Sequence, residues 1–478
     1  MSKHLRKGYK LLHDGLLALA VVERNGIKVD TDYLDRKIEE VGSQIAGLEG
    51  ELQRDKKVYR PWRKRYGDKL NLDSTAQLAT VLYDDLGFKV RAYTEKGQRK
   101  TDEEALKDAT RKSDVSDFTK LYLRRKKLLK VRTTYLIGIR REVQDGFLHP
   151  SYNLNRTVTY RSSSSDPNSQ NFPVRDPELG GLIRGAFVSR YKNGRLCDRD
   201  YSALEVKIAY TYHKDPAMRK YLTDPTTDMH RDTAAECYML KPEEVNKTSR
   251  YCAKNMFVFP QFYGSFYVDC ARAMWKAIDK MSLTVGKSDV SLKDHLARKG
   301  IHKLGKCDPE YDPVPGTFEY HIREVERRFW NKRFPVYAQW KKDWYNSYLE
   351  KGYFLTHTGF KIGGDFRRNQ VINYPVQGSA FHCLLMSIVL VNKELAKYKM
   401  KSKLCVQIHD SMTGDVPDDE VQDFLDITHD VMTKKVPEMW DWINIPLDAE
   451  AEVTPVGGSW ADKKVWEKND SGLWVPAA

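Results

Sequence analysis

The sequence contains little of what marks secreted or membrane-spanning proteins. Its seven cysteines are scattered over 478 residues without Cys-x-x-Cys spacing, which argues against a disulfide framework or a zinc site. No apolar run approaches the ~20 residues of a membrane-spanning helix. The basic N-terminus lacks a small-residue cleavage site, and Glu23 and Arg24 interrupt its apolar part, so a helix of the folded protein is expected there. A reducing, cytoplasmic compartment is therefore expected.

Positive charge, by contrast, is in excess and is clustered. The formal net charge is +14 at pH 7, and basic clusters lie at 54–69, 123–132 and 323–333. Aromatic residues are interleaved in two of these clusters. A well-solvated, lysine-rich surface would explain the total charge, but clustering with aromatic residues is typical of a polyanion-binding surface. The charge pattern therefore favours a nucleic-acid partner without indicating any chemistry.

Length and periodicity predict several lobes. A chain of 478 residues exceeds one typical domain, so roughly two to four lobes are expected. Helical spacing of apolar residues runs from about 30 to 53 and from about 118 to 143. Between them, Asp73 or Ser74 is positioned to cap a short helix. These helices predict a protruding lobe, whereas the polar stretch 283–317 is predicted to be an insertion.

Two aspartates stand where strands are predicted to end. The apolar run at 406–408 leads directly into His409-Asp410, and a carboxylate at the end of a half-buried strand is unfavourable unless it is paired or bound to a cation. Asp200, after the strand-like 194–199, is the best second carboxylate. Two such groups at one sheet edge can hold two divalent cations about 3.5–4 Å apart. Taken singly, each aspartate is better explained as a turn residue or helix cap.

Two cations one helical turn apart add a candidate phosphate-binding element. Arg250 and Lys254 share one face of the helix predicted within 216–265, and Tyr263-Gly264 follows. Alone, the Arg–Lys pair is more simply explained as a solvated helix face. An ordered series of carboxylate, Arg-x3-Lys, Tyr-Gly and carboxylate is harder to obtain by chance. The series predicts a triphosphate site beside two metal-binding acids.

At this point the chain resembles the family A DNA polymerases of the bacterial DNA polymerase I type, over nearly its whole length outside the insertion. Only the polymerase domain is represented, as in a small phage-like enzyme. Six segments carry the resemblance, in the family's order: TVTYRSSSSDPNSQNFPVR at 157–175 (primer-side motif), DYSALE at 200–205 (motif A), DMHRDTAAE at 228–236 and RYCAKNMFVFPQFYG at 250–264 (fingers and motif B), and NYPVQGSA at 373–380 and QIHDS at 407–411 (the remaining palm motifs).

The resemblance implies an α+β, right-hand polymerase fold with an antiparallel palm sheet and a mainly helical thumb and fingers. The implied domains are a palm segment at 1–29, the thumb at 30–143, the palm with the primer motif and motif A at 144–210, the fingers at 211–366 with an insertion at about 267–317, and the palm with motif C and a C-terminal tail at 367–478.

The resemblance also implies a role for each matched residue. The catalytic group would be Asp200, Asp410 and Lys254, with two Mg²⁺ ions held by the two acids and the backbone carbonyl of Tyr201. The residues that would bind the nucleotide are Tyr201, Glu205, His230, Arg250, Lys254, Phe259 and Tyr263, the last also stacking at the templating position. The residues that would contact the primer end and the minor groove are Arg161, Asn373, Gln377 and His409.

Two positions bear on the choice between DNA and RNA synthesis. In the family, a glutamate at the place of Glu205 crowds the sugar 2′ position and rejects ribonucleotides. Single-subunit RNA polymerases share the two-carboxylate plan and have His-Asp-Ser, as at Ser411, where most DNA polymerases have His-Asp-Glu. Glu205 and the primer-side motif favour primer-dependent DNA synthesis. The alternatives are an RNA polymerase or primase-like nucleotidyltransferase, and a catalytically silent DNA-binding replisome protein.

Motif B departs from the family pattern by one residue. Phe259 is five residues after Lys254 and Tyr263 nine after, one more than usual. Pro260 also stands inside the expected helix, where it removes a backbone hydrogen bond. A π-bulge absorbs one extra residue. We therefore predict a bulge between Lys254 and Pro260 that turns Phe259, and not Val258, toward the sugar.

Three further expectations follow from the resemblance. Asn369 replaces the arginine that the family often has four residues before Asn373, and Arg367 or Arg368 is a candidate substitute. Because the thumb pattern begins near residue 30, we expect no proofreading exonuclease on this chain. The expected partners are primer–template DNA and dNTPs, with a separate exonuclease or replisome protein as a candidate. A monomer without membrane contact is expected, in the host cytoplasm if the protein is viral.

Overall fold

The protein is built on an antiparallel sheet flanked by long helices, in a computed structural model that describes residues 2–90, 92–111, 113–173 and 176–477. Its strands are β1 (Ile27–Val29), β2 (Phe147–Leu148), β3 (Ser151–Asn153), β4 (Ser163–Ser165), β5 (Phe187–Val188), β6 (Gly194–Tyr201), β7 (Tyr353–Leu355), β8 (Lys361–Gly363), β9 (Lys403–Ile408), β10 (Ser411–Pro417), β11 (Ala449–Val453), β12 (Lys464–Lys468) and β13 (Trp474–Pro476).

The helices of the described residues are α1 (Lys3–Asn25), α2 (Thr31–Arg54), α3 (Tyr59–Tyr66), α4 (Thr75–Ala79), α5 (Glu103–Ala109), α6 (Ser116–Lys130), α7 (Ile137–Glu142), α8 (Pro177–Arg184), α9 (Leu204–His213), α10 (Pro216–Thr223), α11 (Met229–Tyr238), α12 (Lys247–Ala253), α13 (Phe259–Phe262), α14 (Tyr267–Lys280), α15 (Leu292–Arg298), α16 (Phe318–Arg328), α17 (Pro335–Lys351), α18 (Arg368–Lys397), α19 (Val421–Asp430) and α20 (Val436–Met439). Short π-helical turns occur at Thr80–Asp85, Val131–Leu136, Lys254–Val258, Phe329–Arg333 and Val431–Lys435.

The palm sheet has the strand order β13-β12-β11-β6-β10-β9. Strand β6 is central and antiparallel to β10 on one side and β11 on the other. Asp200 lies inside β6, at its penultimate position, and does not follow the strand as the sequence suggested. The strand extends further than its apolar residues because β10 and β11 both hydrogen-bond to its end. The acid therefore points from a rigid strand rather than from a turn.

The long helix α18 crosses the palm core and packs on α1 and α9. It corrects the expectation that no apolar run approaches membrane length. By length and composition, it is the one helix among the described residues that could cross a membrane, but 78% of its most apolar window is buried inside the protein. Packing in the palm core therefore accounts for its composition.

Helices α2 to α7 lie in the region predicted as the thumb and are called the thumb lobe here. The helices predicted at 30–53 and 118–143 are confirmed as α2 and as the continuous run of α6, a π-helical turn and α7. Ser74 caps α4 by accepting a hydrogen bond from the Gln77 N–H. The outer half of the lobe, residues 52–123, has an apolar core of its own around Trp62, Phe118 and Tyr122.

Helices α10 to α17 lie in the region predicted as the fingers and are called the fingers lobe here. Their core contains Tyr238, Phe257, Phe318 and Phe329. Helix α14 occupies the first part of the insertion predicted at about 267–317, but its residues Val268, Ala271 and Met274 are buried in this core. That first part is therefore a core helix and not a solvated loop. The exact domain boundaries stay a prediction.

Candidate active site

The hairpin of β9 and β10 presents His409 and Asp410 at its two-residue turn. Ser411 pairs with Ile408 across the hairpin, and His409 has a left-handed φ of 49°. The apolar run at 406–408 thus ends the first strand of a tight hairpin, and Asp410 lies in the turn that follows. Its turn brings Asp410 to the end of the palm sheet next to β6.

The buried side chain of Gln407 holds this turn in place. Its Nε2 donates a hydrogen bond to the His409 carbonyl at 2.8 Å. Its Oε1 accepts hydrogen bonds from Ser162 Oγ at 2.7 Å and from Gln170 Nε2 at 2.9 Å. The primer-side motif is therefore connected to the Asp410 turn through one amide group. Two residues at the end of that motif, Val174 and Arg175, lie outside the described residues.

Asp200 lies beside the Asp410 turn. Asp200 is paired in register with Ser411 on β10, and the Tyr201 N–H donates to the Asp410 carbonyl at 3.4 Å. Asp200 and Asp410 line one groove together with Phe259 and Tyr263 of the fingers. The Tyr201 hydroxyl is buried and donates to the Met432 carbonyl at 3.0 Å, which anchors the end of β6. The two predicted metal-binding acids thus lie side by side, Asp200 near the end of β6 and Asp410 in the turn that precedes β10.

The electrostatics of this pair suit a divalent cation. Burial raises the pKa of Asp410 to about 6. Burial is the main cause that raises the pKa of Asp200 to about 7, and the nearby Asp410 carboxylate is the second. Solvent nevertheless reaches the Asp200 side chain in the groove. Asp410 Oδ1 is buried and has no hydrogen-bond partner among the described residues; Arg161 Nη2 lies 3.8 Å away. Uncompensated carboxylate oxygens of this kind fit Mg²⁺, which commonly binds one or two carboxylates and completes its shell with water and phosphate.

The fingers helix that carries Arg250 and Lys254 contains the predicted bulge. Helix α12 ends at Ala253, a π-helical turn spans Lys254–Val258, and α13 begins at Phe259. Val258 is fully buried in the fingers core, whereas Phe259 lines the groove. The prediction that the extra residue is absorbed by a bulge, with Phe259 and not Val258 facing the groove, is confirmed.

Arg250 and Lys254 form a cationic ridge, and its lysine lies beside Phe259. Lys254 Nζ is 5.2 Å from the centre of the Phe259 ring, and His230 packs edge-on against the same ring. Arg250 Nε donates to Asp228 Oδ2 at 2.6 Å. Burial is the main cause that lowers the pKa of His230 to about 4, and the positive charges of Lys254 and Arg250 lower it further. His230 is therefore neutral at pH 7 and can offer a hydrogen bond to a phosphate oxygen without adding charge.

Glu205 joins the palm to the fingers. Tyr263 Oη donates to one Glu205 carboxylate oxygen, and Arg161 Nη1 donates to the other at 3.2 Å. Burial is the main cause that raises the pKa of Tyr263, and the negative charge of Glu205 raises it further. Asn373 Nδ2 donates to the Tyr263 carbonyl at 3.1 Å. Gln377 lines the adjoining pocket together with Glu205 and Asn373. The structure therefore brings the predicted sugar, template and primer residues into one continuous site.

Asn369 approaches the fingers through Gly264. A Cβ on Gly264 would lie 3.1 Å from the Asn369 Cβ, and Gly264 has a φ of 90°, so the Tyr-Gly pair requires glycine here. No contact in the described part of the chain shows whether Arg367 or Arg368 replaces the usual arginine. That substitution stays a prediction.

Sequence analysis missed the role of Asp198. This buried acid accepts hydrogen bonds from Thr413 Oγ1 at 2.6 Å, from Trp460 Nε1 at 2.9 Å and from Lys463 Nζ at 2.6 Å. Residues two apart on a strand share a face, so Asp198 holds the C-terminal segment against the sheet beside Asp200. The available signal was the spacing of two aspartates in CDRD, which could have indicated a second acid on the same strand face.

The three basic clusters differ in how many of their basic side chains have acidic partners. In 123–132, Arg124 pairs with Glu178, and the buried Arg125 pairs with Glu49 and Asp73. In 323–333, Arg323, Arg327 and Arg333 all have acidic partners. In 54–69, Lys57, Arg63 and Arg65 are paired too, but the exposed Lys56, Arg60 and Lys64 have no ion-pair partner in the described ranges. The polyanion-binding surface predicted from composition therefore has its best support on and directly before α3 of the thumb.

The architecture as a whole is that of a right-hand polymerase. The structure is similar to the solved polymerase domain of Pol1 from M. smegmatis, with a TM-score of 0.73 over 94% of this chain and 70% of that chain, at 22% sequence identity. That protein was solved in complex with primer–template DNA and dNTP. The predicted α+β fold with an antiparallel palm is confirmed.

The chain belongs to DNA polymerase family A, whose family model matches residues 35–279 and 332–462. Similar proteins include the DNA polymerase of Bacillus phage SP01 (25% identical, covering 92% of this chain and 49% of that protein), DNA polymerase I of Bacillus subtilis (25%, 94% and 45%) and the thermostable DNA polymerase I of Thermus aquaticus (26%, 93% and 47%). The chain spans about half the length of the curated relatives it matches. The family match leaves out 280–331, later than the insertion predicted at about 267–317.

Proposed function

We propose that this chain extends a primer 3′-hydroxyl with dNTPs under the direction of a template strand, releasing pyrophosphate. One observation carries the proposal. Two palm carboxylates, Asp200 and Asp410, face Phe259 and Tyr263 of the fingers across one groove, and Lys254 lies against Phe259. Membership of family A and the fold of a polymerase domain support the same reaction.

Asp200 and Asp410 would hold two Mg²⁺ ions, with the backbone carbonyl of Tyr201 as a further oxygen ligand. When bound, such ions activate a hydroxyl and stabilise the leaving pyrophosphate. The Asp410 oxygen without a hydrogen bond in the described residues and the raised pKa values of both acids support cation binding, because the Arg161 guanidinium near Asp410 does not offset the cost of burying the two charges. The acids bind the cations in their ionised form, so acidic pH should weaken binding.

The fingers would supply the remaining positive charge. Arg250 and Lys254 would bind the triphosphate, with Lys254 neutralising charge on the leaving pyrophosphate, and His230 would donate a hydrogen bond from its neutral ring. Phe259 would pack against the sugar. Since these groups are anchored by the π-helical turn and by Asp228, they would be in position before the nucleotide arrives.

Selection of substrate and template would rest on the residues around Glu205. Glu205 would crowd a ribose 2′-hydroxyl, and Tyr263 would lie at the templating base. Arg161, Asn373, Gln377 and His409 would contact the primer end and the minor groove. Their support is positional: Arg161 reaches both Glu205 and Asp410, and Asn373 bonds to Tyr263.

Primer extension with a labelled primer–template and Mg²⁺ tests the proposal. We expect extension with dNTPs and at most weak extension with rNTPs. Asp200→Asn and Asp410→Asn should each reduce extension at least 1,000-fold, whereas the exposed control Asp419→Asn should leave it unchanged. Fluorescence anisotropy with the same DNA provides the second readout. DNA binding without extension would indicate a silent binding protein, and efficient use of rNTPs would indicate an RNA polymerase.

We also propose that the reaction takes place in a reducing compartment such as the cytoplasm. All seven cysteines are free and buried, so none of them forms a disulfide in the structure. Activity measured with and without a reductant should be the same over short times, because buried thiols are protected from oxidation.

A further inference from the structure

One lysine of the fingers contacts the outer half of the thumb. Lys276 Nζ on α14 donates hydrogen bonds to Glu104 and, at 3.4 Å, to Asp108, both on α5. The hydrogen bond to Glu104 raises the pKa of Lys276. Glu104 and Asp108 are four residues apart, so both face the same side of α5. Within the described ranges, these are the only hydrogen bonds or ion pairs that join residues 52–123 to the fingers lobe.

The neighbouring charges leave this contact free to form. Glu103, the residue before Glu104, is paired within the thumb to Lys107 and Lys127. On the fingers side, Asp269 and Asp279 are paired to Arg272 and Lys293. Glu104 and Asp108 have Lys276 as their ion-pair partner, and no thumb cation of the described residues competes for them. The two surfaces are thus complementary at this point.

The position of the contact closes the cleft between the lobes. The outer thumb has an apolar core that contains no palm residue, and α14 belongs to the fingers core. Both lobes arise from the palm at their other ends. A contact between the outer thumb and α14 therefore completes a ring of palm, thumb and fingers.

We propose that the contact of Lys276 with Glu104 and Asp108 is a thumb–fingers bridge that closes the protein around its DNA. This inference rests on the proposed function, since a DNA substrate must occupy the cleft. The three side chains are 42–74% exposed, so solvent and salt weaken the bridge and it opens readily. An opening bridge lets DNA enter, and a closed one slows its release between nucleotide additions.

A cross-link that makes the bridge permanent tests the ring directly. The variant Glu104→Cys/Lys276→Cys would be joined with a short bis-maleimide, which spares the seven buried native cysteines. The matched control is Glu103→Cys/Lys127→Cys, which joins two contacting residues inside the thumb and closes no ring. Both are offered a primed circular single strand and a primed linear strand of the same sequence. Mass spectrometry verifies each cross-link.

The expected result is topological. Protein cross-linked at 104–276 before DNA is added should extend the linear template and fail on the circle, whereas the control should extend both. Cross-linked after loading, it should stay on the circle through a high-salt wash. Extension of the circle by protein closed beforehand, or failure of residues 104 and 276 to cross-link, would overturn the proposal. If the uncross-linked variant extends neither template, the proposed function fails instead, so the two failures are distinguishable.

Charge reversal provides a second test without cysteines. Lys276→Glu should raise the rate of release from primer–template about two- to fivefold at low salt, which is the range of an exposed ion pair. Glu104→Lys/Asp108→Lys should do the same, and the three changes together should restore the original rate. Slower release in Glu104→Lys/Asp108→Lys alone would show that these side chains act on DNA directly, and it would contradict a bridge.

Discussion

Asp200 has a pKa of about 7 in the folded protein, whereas an aspartate in an unfolded chain ionises near ~3.9. Between these two values the folded chain binds more protons than the unfolded chain. The free energy of unfolding therefore falls as pH rises through this window, and the full loss is present above pH 7. The site keeps an acid that opposes folding, as is common where a group is placed for binding rather than for stability.

Removal of this charge should stabilise the protein when no cation is bound. Asp200→Asn is expected to raise the free energy of unfolding at pH 8 by about 1 kcal/mol, a value reduced from the full pKa difference because solvent reaches the side chain. At pH 5 the gain should shrink by at least half, since Asp200 is then protonated in the folded protein. Thermal unfolding in EDTA at both pH values measures it. An equal gain from the exposed Asp419→Asn would attribute the effect to net charge.

Glu205 is the residue on which sugar selection is expected to depend. Glu205→Ala removes the acceptor of Tyr263 and Arg161 and opens space at the sugar. We expect the ratio of kcat/KM for dNTP to that for rNTP to fall about tenfold or more. Glu205→Gln, which keeps the volume and can still accept from Tyr263, should retain most of the ratio. An unchanged ratio in Glu205→Ala would assign sugar selection to another residue.

At the scale of the element, the π-helical turn at Lys254–Val258 sets the rotation between the cationic ridge and Phe259. Deletion of the exposed Asn255 should convert the turn to a regular helix and rotate Lys254 by ~100° relative to Phe259. We expect the KM for dNTP to rise more than tenfold with a small change in melting temperature. Asn255→Ala, which keeps the chain length, is the control and should bind dNTP normally. Unchanged KM in the deletion would show that the bulge is dispensable.

The hairpin turn depends on the Gln407 amide. Gln407→Leu leaves the buried Ser162 hydroxyl and the His409 carbonyl without their partner. The expected loss is about 1–3 kcal/mol in the free energy of unfolding, with a lower kcat because the turn that carries Asp410 is less well held. Denaturant unfolding and steady-state kinetics measure both. A stable variant with normal kcat would show that the hairpin alone positions Asp410.

Elements with a local cause were predictable from the sequence, and those with a distant cause were not. The bulge was predicted from one residue in excess of the family's motif B spacing together with Pro260, both of which lie within the helix itself. The cap at Ser74 and the long thumb helices have equally local signals. The extension of β6 through Asp200 depends on pairing with β10 and β11, more than 200 residues away. The same holds for Asp198, whose partners Trp460 and Lys463 come from the C-terminal segment.

At the scale of the whole molecule, the 80 lysines and arginines overstate the surface available to DNA. Many of them are paired with acidic side chains, and the exposed cations without partners on or beside α3 are the better candidates for phosphate contacts. Lys56→Ala/Arg60→Ala/Lys64→Ala is expected to weaken primer–template binding and to reduce the slope of log K against log salt by up to about 3. Binding by anisotropy between 50 and 200 mM salt, roughly the range where such slopes are resolved, measures this.

A matched control removes the same charge elsewhere. Lys287, Lys299 and Lys303 are exposed in the segment that the family match leaves out. Their replacement by alanine should leave the slope unchanged if the thumb surface carries the contacts. Equal effects of the two triple variants would indicate that only the total charge matters.

The palm sheet also determines when during its synthesis the chain can become an enzyme. Asp200 leaves the ribosome more than 200 residues before the strands that flank β6, Ser411–Pro417 and Ala449–Val453. A nascent chain, or one cut short before these residues, has no sheet on which to mount its acids. Incomplete translation products should therefore have no polymerase activity, so they cannot extend primers with low fidelity before the full chain is made.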